Sequence, residues 1–191
     1  MLAPTSEIPR DATRPPGWAS LLERFYLKLG LALPALHELR GEEVPQPYRD
    51  LLVHSSDMTP TLESFYKQPM SLSVLSREQQ DYAYLREVIL KCSQDRRPVE
   101  YGVIRIALDH LPAPAGLRVL EEQKPLGNIL QSEAIAHLSW PQAFFRVQSD
   151  PHLAHVLHCS QPEQLYGRRN VLLDGSRRLL AEVIEILAPV A

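Results

Sequence analysis

Two runs of this chain read as buried strands, and each carries a charge in its middle. In Tyr84-Leu85-Arg86-Glu87-Val88-Ile89-Leu90, strand alternation puts Arg86 on one face with Tyr84, Val88 and Leu90. In Leu180-Ala181-Glu182-Val183-Ile184-Glu185-Ile186, it puts Glu182 on one face with Leu180, Ile184 and Ile186. A cation and an anion sunk in apolar faces cost on the order of several kcal/mol each unless partnered. Either the two pair with each other, or they hold opposite ends of a polar ligand, or one of them sits at a wet strand edge. The second run also fits a helical face through Leu179, Leu180, Val183, Ile184 and Leu187. The β-branched Val183, Ile184 and Ile186, following an Asp-Gly turn, favour the strand.

The totals narrow the function classes. A chain of 191 residues fits one domain, and 45% hydrophobic with 23% charged residues is ordinary for a globular protein. The net charge of −3 and the absence of a basic stripe speak against a nucleic-acid partner. No apolar run approaches the ~20 residues needed to span a bilayer, and the opening ten residues are too polar for a signal peptide. The two cysteines, Cys92 and Cys159, make no CxxC pattern. A reducing, cytoplasmic setting is expected.

Along the chain, residues 1–16, broken by Pro4, Pro9 and Pro15-Pro16, are expected to be a flexible lead, with one domain over 17–191. Trp18, Leu21, Leu22, Phe25, Tyr26 and Leu29 recur at helical spacing. Tyr48–His54 reads as a short helix, and Thr59-Pro60 as a helix start. Met70–Leu75 alternates as a half-buried strand. Residues 84–92 and 99–108 flank a turn and read as an antiparallel pair. Residues 116–120 open a short helix, and 126–165 hold a helical start, a strand-like Ala143–Val147 and a segment dotted with His152, His155 and His158. Val171–Leu173, the turn Asp174-Gly175-Ser176 and Leu179–Ile186 form a closing hairpin. Strands grouped with helices, outside a regular βαβ alternation, predict an α+β domain on an antiparallel sheet.

Four patches in order, Ser56-Asp57-Met58-Thr59, Leu85-Arg86-Glu87, Lys124-Pro125-Leu126-Gly127 and Leu180-Ala181-Glu182, resemble the chorismate pyruvate-lyase family. The likeness runs from about Met58 to Pro189 and includes Tyr166-Gly167-Arg168-Arg169. It implies a chorismate lyase-like fold: a single antiparallel sheet with helical flaps over an enclosed ligand. It further implies a cofactor-independent lyase of aromatic or ubiquinone biosynthesis that converts chorismate to 4-hydroxybenzoate and pyruvate. Arg86 would bind the ring carboxylate, helped by main-chain groups at Met58 and Leu126, and Glu182 the ring hydroxyl. Where the family carries an arginine after the glycine of its third strand, this chain has Gly102-Val103. Arg105, two residues on, and Arg168 or Arg169 are the candidates to take the second carboxylate.

The resemblance also leads to a different class of function. The same fold is similar to effector-sensing domains of bacterial transcription regulators, which bind small molecules without turning them over. That reading expects a DNA-binding helix-turn-helix, and the first 50 residues offer one convincing helix with prolines at 34, 45 and 47. A lyase for a related chorismate-derived substrate is a third reading. His152, His155 and His158 lack a metal-ligand frame and read as polar lid residues, so no metal is expected.

Overall fold

The computed structural model describes residues 16–190, so the expected lead over 1–16 lies, but for Pro16, outside the described residues. Seven strands are formed: β1 (Leu36–Leu39), β2 (Met70–Gln80), β3 (Ala83–Cys92), β4 (Pro98–Ala107), β5 (His137–Gln148), β6 (Gln164–Asp174) and β7 (Leu179–Leu187). They make one antiparallel sheet in the order β1-β5-β6-β7-β4-β3-β2. Two meanders, β2-β3-β4 and β5-β6-β7, are joined where β4 pairs with β7. The expected pair 84–92 with 99–108 is therefore β3 and β4, and the 179–186 segment is a strand. Its turn departs from a bare Asp-Gly reversal. Asp174 Oδ1 accepts from the amides of Ser176 and Arg178 at 2.8 and 2.9 Å, and Arg177 takes the left-handed φ of 62°.

Helices cover both faces of the sheet. On one, α1 (Ser20–Lys28) and α6 (Pro151–Leu157) bury Leu22, Phe25, Tyr26, Leu153 and Leu157 against Leu85, Ile89, Tyr101, Val103, Ile184 and Ile186. On the other lie α2 (Tyr48–Leu52), α3 (Met58–Tyr66), α4 (Ala113–Leu120) and α5 (Leu126–Ser132). There α4 and α5 pack on Tyr84, Ile104, Ile106, Leu172 and Val183, and α2 and α3 pack on Leu90, Cys92 and Leu187. Coverage of both faces explains why β3 reads as an almost unbroken apolar run: it is central and buried above and below. Among the described residues, no helix is long and apolar enough to cross a membrane.

Two elements differ from expectation. The strand β1 pairs only through four residues at the edge, too few to show a period. The histidine segment is α6, which lies on the face away from the four-helix side, so these histidines form no lid there. His152 Nε2 instead meets Glu87 Oε1 at 3.0 Å, and the Tyr101 hydroxyl donates to the same oxygen at 2.8 Å.

The close approach of strands fixes one glycine. A Cβ on Gly167 would stand 2.4 Å from the Glu185 carbonyl oxygen and 2.6 Å from the Phe145 ring, whereas one on Gly116, inside α4, would meet nothing within 4 Å. Gly167→Ala is expected to lower the unfolding free energy by about 2–3 kcal/mol, and Gly116→Ala to raise it by about 0.5–1 kcal/mol. Urea denaturation of the two variants checks both signs.

Candidate functional site

Antiparallel register sets the floor of the site. Directly opposed residues share a face, so Arg86, Ile104, Val183 and Asn170 form one row across β3, β4, β7 and β6. The next row is Val88, Gly102, Glu185 and Arg168, and the third is Leu90, Glu100, Leu187 and Tyr166. The roof comes from the first turns of α3 and α5. A cavity of about 60 Å³ lies between floor and roof, lined by Arg86, Glu100, Gly102, Asn170 and Glu185 from the sheet and by Asp57–Thr59 and Pro125–Gly127 from the helices. That is several times the space one water needs. Gly102 keeps the floor low: a Cβ there would come to 3.2 Å from Glu100 Oε1 and 3.3 Å from Val88 Cγ2.

Arg86 is 1% exposed, and its Nε and Nη1 have no hydrogen-bond partner among the described residues. Burial pulls its pKa down from the ordinary arginine value, though a guanidinium remains charged at any physiological pH. The nearby carboxylate of Glu122 is already committed, to the Tyr84 hydroxyl and, at 2.5 Å, to Arg77 Nη1. Burial first, and then that carboxylate, push the Tyr84 hydroxyl up to about 12.

The other charges around the cavity are paired. Arg168, fully buried, donates from Nε to Glu185 Oε2 at 2.5 Å. Its Nη1 reaches the carbonyls of Leu52 and His54 at 3.2 Å each, and its Nη2 the Ser56 carbonyl at 3.3 Å. One side chain thus ties the loop before α3 to the sheet. Desolvation, then the adjacent Arg168 charge, lower the His54 pKa. Its neutral ring accepts at Nδ1 from the Ser56 amide and faces the Leu51 carbonyl with Nε2. Asp57, at the head of α3, meets His137 Nε2 at 2.8 Å through Oδ2. His137 Nδ1 faces the Ile135 carbonyl at 2.9 Å, so both ring nitrogens face acceptors, which favours the protonated ring. The bond to Asp57 accordingly raises its pKa.

Glu100 is 3% exposed and its Oε2 has no partner. Burial, then repulsion from Glu185, hold its pKa well above the carboxylate range against the opposing pull of Arg168. That shift favours its protonated form, which can donate as well as accept.

The sequence-predicted residues divide. The structure brings Arg86, Met58 and Leu126 to one cavity, Met58 and Leu126 as the first residues of α3 and α5. Glu182 is not there. It opposes Arg105 across β4 and β7, on the sheet face away from Arg86, and its Oε1 accepts from Arg169 Nε at 2.8 Å. Arg105 shares that far face and is exposed. Arg168 is buried beside the cavity, where four of its five donors are committed to Glu185 and three carbonyls. Glu100, Asn170 and Glu185 were not anticipated. The pairing of Leu90 with Glu100 carried a signal, since the alternation Glu100, Gly102, Ile104 shares Arg86's face once β3 and β4 are aligned.

No family model matches the chain, and no curated protein matches it. Solved structures do. The effector domain of PhnF from Mycobacterium smegmatis matches with a TM-score of 0.53 at 12% identity, over 72% of this chain and 91% of that one. A structure of PhnF from the same organism gives 0.52 at 13% identity, over 71% of this chain. The chain spans 65% of the length of that protein. These likenesses establish the chorismate lyase-like α+β fold. The expectation of a chorismate pyruvate-lyase, with its place in aromatic or ubiquinone biosynthesis, is corrected. The domain that matches is named an effector domain, and the residues the lyase reading required do not converge: Glu182 and Arg105 face away, and Arg168 is committed to Glu185 and three carbonyls.

The raised Glu100 pKa has a sign that stability measurements read. The folded chain keeps this proton where the unfolded chain, with a pKa near ~4.3, has lost it. Stability from this group is present below that value and falls as pH rises toward the folded pKa. Glu100→Gln, which cannot ionise, is expected to melt higher than the native chain at pH 7.5, with the gap closing toward pH 4.5. Thermal denaturation across that range checks it, and a constant gap would contradict the raised Glu100 pKa.

Proposed function

We propose that this chain is a non-catalytic, effector-sensing domain that binds a small organic acid in the cavity beneath α3 and α5, with Arg86 as the carboxylate anchor. The observation that carries this is the Arg86 guanidinium, almost dry and lining the cavity, with two of its nitrogens unpartnered among the described residues. A planar fork of donors suits a carboxylate, which takes two parallel hydrogen bonds. The main-chain amides at the starts of α3 and α5 supply further donors, since the first amides of a helix have no acceptor within it. Leu72, Val88, Ile104 and Leu172 offer an apolar surface to the body of the ligand, which suits a small aromatic acid. No organic cofactor or metal enters this reading, and a cytoplasmic setting belongs to it.

Sensing follows from the same contacts. Glu185 lines the cavity and also holds Arg168, and Arg168 holds the carbonyls of Leu52, His54 and Ser56. A ligand that engages Glu185 acts on the anchor of the loop between α2 and α3. The resemblance of the fold to the effector domain of PhnF supports a binding role over a catalytic one.

Titration calorimetry with 4-hydroxybenzoate tests the anchor. The native chain is expected to bind it, and Arg86→Ala to weaken binding by about 2–5 kcal/mol. An unchanged affinity in the variant would remove Arg86 from the site.

A further inference from the structure

Seven buried side-chain polar atoms lack a hydrogen-bond partner among the described residues, and five belong to residues that line this one cavity. They are not alike. Arg86 Nε and Nη1 are donors, while Glu100 Oε2, Asn170 Oδ1 and Asp57 Oδ1 are acceptor atoms. Their hosts are deeply buried, Arg86 at 1%, Asn170 at 2% and Glu100 at 3% exposure. Asn170 is oriented by its own amide, whose Nδ2 donates to Ser139 Oγ at 2.9 Å and leaves the carbonyl oxygen free. Asp57 is oriented likewise, since its Oδ2 is held by His137. Buried polar atoms in folded proteins are almost always satisfied, so a group of orphans around one space describes the complement of what fills it.

Position separates the two kinds. Arg86 and Asn170 lie in the same cross-strand row with β4 and β7 between them, about 14 Å apart along the backbone. Glu100 is offset from Arg86 by two rows, about 13 Å along the strand. The donor stands at one corner of the floor and the acceptors around the remainder. Charge narrows the ligand further. Arg168 meets Glu185 and His137 meets Asp57, so among the described residues of the lining Arg86 is the cation without a carboxylate. A single carboxylate on the ligand supplies the partner that Arg86 lacks.

We propose that the ligand is a small apolar-bodied monocarboxylate bearing at least two hydroxyl groups away from its carboxylate, and that Glu100 and Asn170 are the residues that select for them. The inference rests on the reading of Arg86 as the anion anchor. One hydroxyl donates to Asn170 Oδ1 and another, two rows away, pairs with the Glu100 carboxyl, contacts that a bare ring cannot make. An acid without hydroxyls would leave these acceptors desolvated and unpaired, a cost borne on every binding event.

Calorimetry with benzoate, 4-hydroxybenzoate and 3,4-dihydroxybenzoate at pH 7 tests this, on the native chain and on Glu100→Met, Glu100→Gln and Asn170→Leu, each first checked for a cooperative melt. The native chain is expected to favour the dihydroxy acid over benzoate by about tenfold or more. Glu100→Met and Asn170→Leu should each collapse that ratio to within about threefold, while Glu100→Gln, which keeps shape, a donor and an acceptor, should preserve it. Equal affinities for the three acids in the native chain, or a ratio that survives both apolar variants, would overturn the selectivity proposal and leave the anchor standing. Binding of none of the three would overturn the anchor reading and this proposal with it.

Discussion

The Arg168 guanidinium is the interaction on which the cavity depends. It rises from the sheet floor, pairs with Glu185, and caps three carbonyls of the loop that delivers α3. Those carbonyls, at the end of α2 and in the loop that follows it, are buried or partly buried against the sheet, where unpaired oxygens would be costly. A buried ion pair is rarely a net gain over packed hydrocarbon, yet removing one member leaves the other stranded. Its worth here is positional. It fixes Ser56, and therefore Asp57 and Met58, above the row that holds Arg86. The Asp57–His137 bond fastens the same corner from β5, and Gly127 allows α5 to lie close, since a Cβ there would reach Thr59 Oγ1 at 3.3 Å.

Against that background Arg86 stands out. Arg168, Arg169 and Arg77 each have a carboxylate, and Arg86 has none. A protein selected only for stability would fill that position with a leucine or methionine, as it does with Leu90 and Val88 on the same strand face. The free energy withheld from folding is available to an anion that enters, which is how a site can be both unstable when empty and selective when filled. Glu100 follows the same logic: burial and the neighbouring Glu185 carboxylate push its pKa up against the pull of Arg168, which disfavours its charged form.

Much of this was legible in the chain. Alternation and turn residues gave the β3–β4 pair and the β6–β7 hairpin, and the apolar setting of Arg86 marked it as a costly charge. What alternation cannot supply is how the faces of two distant strands correspond. Glu182 does share a face with Leu180, Ile184 and Ile186, as its own strand requires. Register then opposes it to Arg105, which lies one residue out of step with Arg86's row, so the two charges turn to opposite sides of the sheet. Glu185, three residues on and so on the other face, takes the place expected for Glu182. Glu100 was hidden differently. Between Val99 and Tyr101 it looks like an ordinary outward polar residue, and only burial beneath α3 makes it unusual. The segment 126–165 was hard to read because α5 and α6 have seven residues each, too short to show a helical period.

If Arg86 anchors a ligand, it is held at the expense of the empty fold. Denaturant unfolding of the native chain and of Arg86→Met, each with and without a saturating hydroxylated benzoate, tests it most directly. Without the acid the variant is expected to be as stable as the native chain or more so, by up to about 1–4 kcal/mol, because an uncompensated buried charge has gone. With the acid, the native chain alone should gain stability, in proportion to the logarithm of the acid concentration. A variant that loses about 3 kcal/mol or more in the empty state would mean that Arg86 is a paired structural cation, and the account would fail.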